Sequence, residues 1–318
     1  MRKIAIVLTI LAALALLLAA CGEGNTAATA TAEPQINPLS DAANRNSVLV
    51  NLYFGYKAEQ LLAAEERQIN VPVNERIETT IVRNLIQGAS TSKADFTSVI
   101  NSDTKIVNIT NNNGILFVTL SKEFLHAPAT RQNENMNENI RRYLAAYSIV
   151  DTLIEQEGYA RVQILVDRND TGAGTAITNS EIGFSGNDPT EPLARDGVDI
   201  LNSRNTMREI MLSLEKKDWS RLYGFISYKD TQGVAKPTLD QFKNAITGKN
   251  IVLSGSQVTD HIASTELDRD YVLANFTIKA GDSEPQGRSN IPVYLVREND
   301  LWKIPYDVFT NNFMSTSE

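Results

Sequence analysis

Cys21 is the only cysteine among the 318 residues, so the chain cannot close an internal disulfide bond. A chain of this length must therefore be held together by buried apolar surface and not by covalent cross-links. Hydrophobic residues make up 42% of the sequence, which is enough for one or two cores of ordinary size. The sequence thus favours a globular protein that folds by packing alone.

The segment before Cys21 has the composition of a secretory signal peptide. Arg2 and Lys3 give a short cationic start, and residues 4–18 form an uncharged run of Ile, Val, Leu, Thr and Ala. This run is too short to span a membrane comfortably. Two alanines then stand directly before the cysteine. We therefore expect residues 1–20 to be a signal peptide that is removed during export.

The motif LAAC at residues 18–21 resembles the bacterial lipobox. In proteins with this motif the cysteine thiol receives a diacylglycerol and becomes the first mature residue, and the resemblance implies the same for Cys21. A plain secreted protein and an uncleaved anchor helix are the alternatives. We expect a lipoprotein held by the acyl chains on Cys21 at the extracytoplasmic face of the cell membrane, in a bacterium of the Gram-positive type.

Charge and composition narrow the possible partners. Loss of the signal peptide lowers the 30 basic residues to 28 against 38 acidic ones, a net charge of about −10. An acidic surface disfavours nucleic acid and anionic lipid, so we expect no nucleic-acid partner and membrane contact only through the acyl chains. Residues 21–46 are rich in Ala, Thr, Asn and Pro without apolar periodicity, which indicates a flexible tether.

Apolar periodicity starts after the tether, where it predicts a region of mixed strands and helices. Residues 61–69 fit a helix or an edge strand equally well. Turn signals bound the other elements, chiefly Gly88 after a helix that Asn74 would cap and Asn113-Gly114 inside a hairpin. In order, we predict a strand at 48–54, a helix at 73–87, hairpin strands at 106–109 and 115–120, a helix at 136–156 and a strand at 161–166.

Five short motifs carry a family resemblance across residues 47–168. They are VNLYF at 50–54, EERQI at 65–69, NLIQG at 84–88, ILFVTLSKEF at 115–124 and VQILVD at 162–167. In order and spacing they resemble the GerMN family, named after the sporulation and spore germination protein GerM. Gly88-Ala89 and Asp167-Arg168 depart from the family's usual turn pairs. The resemblance implies a role in spore formation, germination or wall assembly, or in regulating a partner, with an envelope protein or the cell wall as partner.

A Gly- and Pro-containing stretch at 179–198 reads as a linker, and beyond it the pattern changes to helices first and strands last. The periodicity predicts helices near 207–214, 219–226 and 239–246 and strands at 251–258, 271–278, 291–297 and 301–306. The segments EKKDW at 215–219, Leu222-Tyr223 and YLVRENDLWKI at 294–304 resemble the NTF2-like fold. That resemblance implies a cone of helices over a curved antiparallel sheet.

The interior of such a cone is either a filled core or an open pocket. Alternation in the last strand predicts that Trp302 points inward with Ile304 and Tyr306, while Lys303 points away. We expect a filled core, since aromatic stripes at strand and helix spacing are usually packing. The candidate pocket or core residues are Trp219, Tyr223, Phe276, Trp302 and Tyr306.

Together these patterns predict an α+β protein with two α+β domains. The GerMN-like domain would combine a mixed sheet with covering helices, and the NTF2-like domain would place helices over a curved antiparallel sheet. The predicted boundaries are a signal peptide at 1–20, a tether at 21–46, a GerMN-like domain at 47–178, a linker at 179–198 and an NTF2-like domain at 199–318.

The sequence contains no recognisable catalytic motif. His126 and His261 are its only histidines, and neither has a second metal-ligating residue at the usual spacing. Glu65 and Glu66 are adjacent, so on a strand they would point to opposite faces and suit solvent better than paired acid–base work. Residues 167–172 place oxygens as a calcium loop would, but the twelfth position is not Glu, which favours a surface turn. We expect no enzyme activity, no metal and no cofactor.

Two functions remain open. The first is an extracytoplasmic lipoprotein that binds or scaffolds other components of the cell envelope. The second is a small-ligand carrier or enzyme that uses the cavity of the NTF2-like domain. Convergent polar groups in a roomy pocket would favour the second, and a filled cone would favour the first.

Overall fold

The structure is a computed structural model that describes residues 46–128, 136–262, 264 and 266–315. The predicted signal peptide, Cys21 and the tether up to residue 45 lie outside the described residues. From Asn46 onward the described chain forms one unit. Within these ranges no helix has both the length and the apolar character needed to cross a membrane.

The described chain has the predicted α+β composition. Its helices are α1 (Ile77–Gln87), α2 (Glu138–Glu157), α3 (Ser203–Glu215), α4 (Trp219–Gly224), α5 (Leu239–Gly248) and α6 (Tyr306–Phe313). Its strands are β1 (Ser47–Tyr56), β2 (Leu62–Asn70), β3 (Phe96–Thr97), β4 (Ile106–Asn112), β5 (Ile115–Ser121), β6 (Arg161–Asp167), β7 (Thr175–Ala176), β8 (Ile251–Ile262), β9 (Arg269–Ala280), β10 (Gln286–Glu298) and β11 (Leu301–Lys303). The strands form sheets of order β2-β1-β3, β4-β5-β6-β7 and β11-β10-β9-β8.

β1 pairs with β2 along most of its length but with β3 only at its last two residues. The rest of that edge is covered by α2. Tyr53 donates its backbone N–H to Thr152 Oγ1 at 3.0 Å and accepts a hydrogen bond from Ser148 Oγ at 2.6 Å. Because residues four apart share a helix face, two side chains of α2 stand where a neighbouring strand would be.

β5 and β6 are parallel and joined by α2, which makes a β-α-β unit with fully buried Val, Ile and Leu on both strands. α2 begins where the Asn137 side chain accepts from the backbone N–H groups of Asn139 and Ile140 and ends at left-handed Gly158. The predicted hairpin forms as β4 and β5, and the backbone has positive φ at Asn113 and Gly114.

α1 starts later than predicted. Its N-cap is Arg76, in extended conformation and without a side-chain cap, so Asn74 does not cap it. Glu75 fixes this end instead, accepting hydrogen bonds from Thr80 and Arg83 one and two turns into the helix. Residues 61–69, for which the sequence allowed two states, pair with β1 as the strand β2.

The second half packs helices against the antiparallel meander β8 to β11. The turn between β10 and β11 has two central residues of positive φ, Asn299 and Asp300, as expected for a tight hairpin. The strand predicted over 301–306 is wrong beyond Lys303. Pro305 has no N–H for a ladder, and it serves as the N-cap of α6, so Tyr306 is the first residue of a helix.

The register of the last strand fixes which way its side chains point. Trp302 pairs with Arg297, which shares its strand face with buried Leu295, so Trp302 lies half-buried on the core side of the sheet. Leu301 and Lys303 lie on the opposite face and are also buried. The Lys303 ammonium is 4.6 Å from the centre of the Tyr228 ring.

The two halves are joined by the segment that follows the predicted linker. Leu62 N donates to Asp199 O and Leu62 O accepts from Leu201 N, both at 2.8 Å. Ion pairs add to this contact, with Lys93 on Asp300 at 2.7 Å. The predicted domain boundaries remain a prediction.

Candidate functional site

A groove of about 700 Å³ lies between α1 and β4. Its walls combine apolar side chains with hydroxyl, amide and charged groups at both ends. The lining residues are Glu75, Thr79, Arg83, Ile86, Gln87, Ser102, Thr104, Lys105, Ile106, Val107, Asn108 and Ile109.

One wall of the groove is the amphipathic helix α1. Ile81, Val82 and Leu85 are buried towards the core, at the spacing of one helical face. Arg83 and Thr79 lie on the groove side. Arg83 is held by an ion pair to Glu75, and its hydrogen bond lowers the pKa of the Glu75 carboxyl below the usual range.

The other wall is a strand with a free edge. β4 is the outermost strand of its sheet. Asn112 and Ile115 flank the two-residue turn and form a hydrogen-bonded pair. In an antiparallel ladder, hydrogen-bonded and non-hydrogen-bonded pairs alternate. The backbone N–H and C=O groups of Ile109 and Asn111 therefore point away from β5. No residue from 106 to 113 is charged. Charged residues within the strand commonly block such an edge, and β4 has none of its own.

A side-chain cluster stands at one end of this edge. Arg76 donates to Glu78 Oε1 at 2.6 Å and reaches the outward Ile109 carbonyl at 3.5 Å. Burial would raise the pKa of Glu78, but hydrogen bonds from Arg76 and Tyr159 outweigh it and lower that pKa to about 2. Glu78 is therefore ionised at neutral pH and keeps Arg76 in place beside the strand.

The other end carries hydroxyl groups and one cation. Thr104 is buried, and its Oγ1 has no hydrogen-bond partner among the described residues. Lys105 beside it forms no ion pair within the described part of the chain. Thr104 Oγ1 is sealed behind the groove surface, and Lys105 offers a positive charge to whatever enters the groove. The sequence patterns did not predict this site, although the uncharged run before Asn113-Gly114 was a visible signal.

Three of the five residues proposed for the pocket or core of the second half belong to one aromatic cluster, namely Tyr223, Phe276 and Tyr306. The Phe242 ring lies 5.4 Å from Tyr223 and 6.1 Å from Tyr306 between ring centres. Phe276 is buried and packs on Phe313 at 4.9 Å. Trp219 and Trp302 are half-buried against the core, and among the described residues neither makes a ring contact with this group. Cys21 lies outside the described residues.

The adjacent carboxylates Glu65 and Glu66 differ in their exposure to solvent. Glu66 is partly exposed, but Glu65 is only 2% exposed. Arg67 donates to both Glu65 oxygens at 2.8 and 2.9 Å, and Ser90 N donates at 3.0 Å. Residues two apart share a strand face, so Arg67 was positioned to bury Glu65 as an ion pair. The expectation of solvent exposure for Glu65 is therefore wrong.

Asp167 forms a turn through backbone contacts. Its carboxylate accepts N–H groups of Thr171 at 3.0 Å and Gly172 at 2.7 Å, and these bonds lower its pKa. Arg168, which follows it, pairs with Glu181 at 2.7 Å. No group of three or more His, Cys, Asp or Glu in the described ranges could hold a metal ion.

The first half of the chain is similar to a known family and to solved structures. Residues 51–171 match the family model described as Germane, sporulation and spore germination. The tandem GerMN domains of the sporulation protein GerM from Bacillus subtilis are 18% identical, with 46% of each chain covered and a TM-score of 0.34. The first GerMN domain of that protein is 18% identical, covering 46% of this chain and 98% of that one, with a TM-score of 0.31.

A candidate lipoprotein from Clostridium perfringens is 22% identical, covering 47% of this chain and 89% of that chain, with a TM-score of 0.26. The chain thus spans less than half the length of the tandem-domain structure. A search of curated proteins found no match. The groove lies wholly within residues 51–171, the part of the chain that is similar to the Germane family.

Proposed function

We propose that the protein is a lipoprotein of the bacterial cell envelope that binds or scaffolds another envelope component during spore formation, germination or wall assembly. One observation carries this proposal: the free, uncharged edge of β4 and its groove lie in the segment that matches a family described by sporulation and spore germination. The lipid on Cys21 would hold the protein on the extracytoplasmic face of the membrane, with the tether between membrane and fold.

The occupant that fits the groove is an extended segment of a partner protein. The outward backbone groups of Asn111 and the outward N–H of Ile109 would pair with it as one more strand, since main-chain hydrogen bonds provide affinity in such complexes. The Ile109 carbonyl already accepts from Arg76. Ile86 and Val107 would contact its alternate apolar side chains. Lys105 favours an acidic residue at that end.

This function requires no catalytic step, and we propose none. The polar groups of the groove are hydroxyls, amides, the Glu75–Arg83 ion pair and the Lys105 ammonium, which suit recognition. The alternative, a small-ligand carrier or enzyme in an NTF2-like cone, would need room behind the sheet. The rings of Tyr223, Phe242, Tyr306 and Phe309 pack together in that region, which favours the binding role.

A pair of substitutions at one position tests the edge. Asn111→Pro removes the outward N–H without removing a bond to β5, and Asn111→Thr also loses the amide side chain but keeps that N–H. Cross-linking in intact cells, followed by isolation of membranes, measures the partner recovered per copy. We expect Asn111→Pro to lower recovery at least tenfold and Asn111→Thr to leave it unchanged.

The anchor is tested in the same cells. Cys21→Ala should move the protein out of the membrane fraction, because one thiol would carry all acyl attachment. Equal partner recovery by the Asn111→Pro and Asn111→Thr proteins would show that the edge of β4 does not bind the partner. A Cys21→Ala protein that still sediments with membranes would remove the lipid anchor.

A further inference from the structure

The sheet β11-β10-β9-β8 has one face towards the helices and one face away from them. On β9, Val272 and Phe276 are buried, and Phe276 contacts Phe313 of α6, so their side of the strand faces the helices. Successive side chains of a strand point to opposite sides of the sheet. Tyr271 and Leu273 therefore lie on the other side, which we call the outer face.

Apolar side chains cover three neighbouring strands of the outer face. Tyr271 is opposite Ile262 on β8 and Tyr294 on β10, and Leu273 is opposite Pro292 on β10. Residues opposite each other in a ladder share a face and lie in contact distance. Ile262 is 54% exposed and Tyr271 is 42% exposed, and the two tyrosine rings lie 5.1 Å apart between centres. We call these five residues the tyrosine surface.

The outer face continues into a contact that the chain already makes with itself. Glu298 lies on the same side of β10 as Tyr294, and Leu301 of β11 is opposite Glu298. Leu301 is buried and borders a small cavity together with residues 92–96 of the first half. Lys303, on the same side of β11, is buried as well. The first half thus covers the outer face at β11 and leaves the tyrosine surface open.

Exposed carboxylates border the tyrosine surface. Asp260 is opposite Leu273, and its side chain is 70% exposed. In the turn between β8 and β9, Glu266 lies 2.8 Å and Asp268 lies 4.0 Å from the guanidinium of Arg269. Three carboxylates therefore stand around one cation, and the exposed charge beside the surface is negative. A partner with positive charge would be attracted to it.

The two tyrosine rings of this surface are open to a cation. The face of a tyrosine ring attracts an ammonium or guanidinium group. Within the described part of the chain, no such group lies over the ring of Tyr271 or Tyr294, whereas lysines lie over the rings of Tyr56, Tyr223 and Tyr228. A lysine or arginine from a partner would meet ring faces and carboxylates together. Its alkyl stem would pack on the neighbouring apolar side chains.

We propose that the tyrosine surface docks a basic segment of a partner protein, in which apolar residues stand between lysines or arginines. A second copy of the chain fits less well, since it would bring like charges together. Anionic lipid would be repelled for the same reason. The surface lies in the second half and differs in preference from the β4 groove, where Lys105 favours an acidic residue. The protein would thus offer two docking surfaces of opposite charge preference.

Calorimetric titration of the full chain in a non-ionic detergent at pH 7 tests this surface. The probe is a short blocked peptide of alternating lysine and isoleucine, and the control peptide has glutamate in place of lysine. Titration of each peptide into detergent alone is the blank. We expect saturable binding of the basic peptide, at least tenfold weaker binding of the acidic one, and weaker binding of the basic peptide as sodium chloride is raised.

Substitutions locate the binding. Tyr271→Ser and Asp260→Lys should each weaken binding of the basic peptide at least fivefold, because one removes a ring face and the other reverses a charge. Both positions are exposed, so the unfolding temperature should stay unchanged and separate lost docking from a lost fold. Leu49→Ser is the control, at a residue that is 60% exposed on β1, and should bind as the unchanged protein does. Asn111→Pro should also leave this binding unchanged.

Three results would overturn the proposal. The first is absence of saturable binding of the basic peptide, and the second is equal binding of the basic and the acidic peptide. The third comes from analytical ultracentrifugation of the full chain in the same detergent. A dimer that Tyr271→Ser converts to a monomer would assign the tyrosine surface to a second copy of the chain. A monomer in both proteins, with binding lost in Tyr271→Ser and in Asp260→Lys, would support docking of a basic partner.

Discussion

The two halves of the protein build their interiors from different materials. In the first half, α2 brings buried Arg141, Ser148, Asp151 and Thr152 against its neighbours, and several of them hydrogen-bond to backbone. In the second half, an aromatic cluster fills the space between helices and sheet, with Phe242, Phe276, Phe309 and Phe313 in contact. Directional hydrogen bonds therefore hold the first interior, and packed side-chain volume holds the second.

This difference determines how each half should respond to substitution. A hydrogen bond fixes one geometry and leaves an unsatisfied group when one partner is removed, and where a partner is ionisable its strength depends on protonation. Packed rings tolerate changes of orientation, lose stability when volume is removed and do not respond to pH. Denaturant unfolding of the full chain at several pH values therefore separates the two interiors.

The largest effect is expected for Phe242→Ala. Phe242 is fully buried and packs on Tyr223, Tyr306 and Phe309, so truncation leaves a cavity that these rings cannot fill. The free energy of unfolding should fall by about 3 to 5 kcal/mol. Phe242→Leu is the control and should cost roughly 1 to 2 kcal/mol, since it keeps most of the volume. The loss should be the same at pH 5 and pH 8, and a loss that changes with pH would contradict the comparison.

Asp151→Asn tests the polar interior by pH. Asp151 is buried, its Oδ1 accepts from Asp196 N at 2.9 Å, and burial raises its pKa to about 8. The usual value for Asp is about 3.9, so between pH 4 and pH 8 the folded state keeps a proton that the unfolded state loses. Stability from this group is present below pH 4 and is lost as pH rises towards 8.

Asparagine at position 151 cannot ionise, so the variant should lose this pH dependence. The upper bound for one group is about 1.4 kcal/mol per pH unit, and we expect Asp151→Asn to gain about 3 kcal/mol on the unchanged protein between pH 5 and pH 8. Unfolding by urea at each pH measures this difference in the free energy of unfolding. Parallel stability curves for the two proteins would show that Asp151 is ionised in the fold.

The smallest effect comes from a matched pair of neighbours. Glu65→Gln removes a buried charge and leaves Arg67 facing a neutral amide, so we expect a loss of about 2 kcal/mol. Glu66→Gln weakens only a partly exposed contact with Arg297 at 3.5 Å and should cost less than about 0.5 kcal/mol. Comparison of the two losses in the free energy of unfolding measures the effect of burial on a carboxylate of β2. Equal losses would show that burial on β2 does not distinguish these carboxylates.

Periodic and turn signals were sufficient for much of the fold. The hairpin β4–β5, the helix α2 with its Gly158 end and the tight turn at Asn299-Asp300 all follow local patterns, because their apolar spacing and turn residues need no distant partner. The predictions failed where a side chain outside the local pattern determined the burial or the secondary structure of a residue. Glu65 is buried by Arg67, and Tyr306 starts a helix because Pro305 ends the strand.

The candidate sites show the same limit more strongly. Residue spacing predicted the aromatic residues of the second half but not the groove, since a groove depends on how α1 lies across β4. Alternation predicted that Lys303 points away from the interior of the second half, but it could not predict that Lys303 is buried there beside Tyr228. The cluster of Lys236, Lys303 and Tyr228 joins a loop to a strand far along the chain, and no spacing rule reports that contact.

The bonds between Leu62 and residues 199–201 also have a consequence for the order of synthesis. Gln60 and Asp199, which join at the same place, are 139 positions apart. A ribosome adds about 5 to 20 residues per second, so this end of β2 stays without its partner for roughly 7 to 28 s after it is made. During that interval the nascent chain carries an open strand end. The last step in closing the first half therefore depends on residues that are translated well after it.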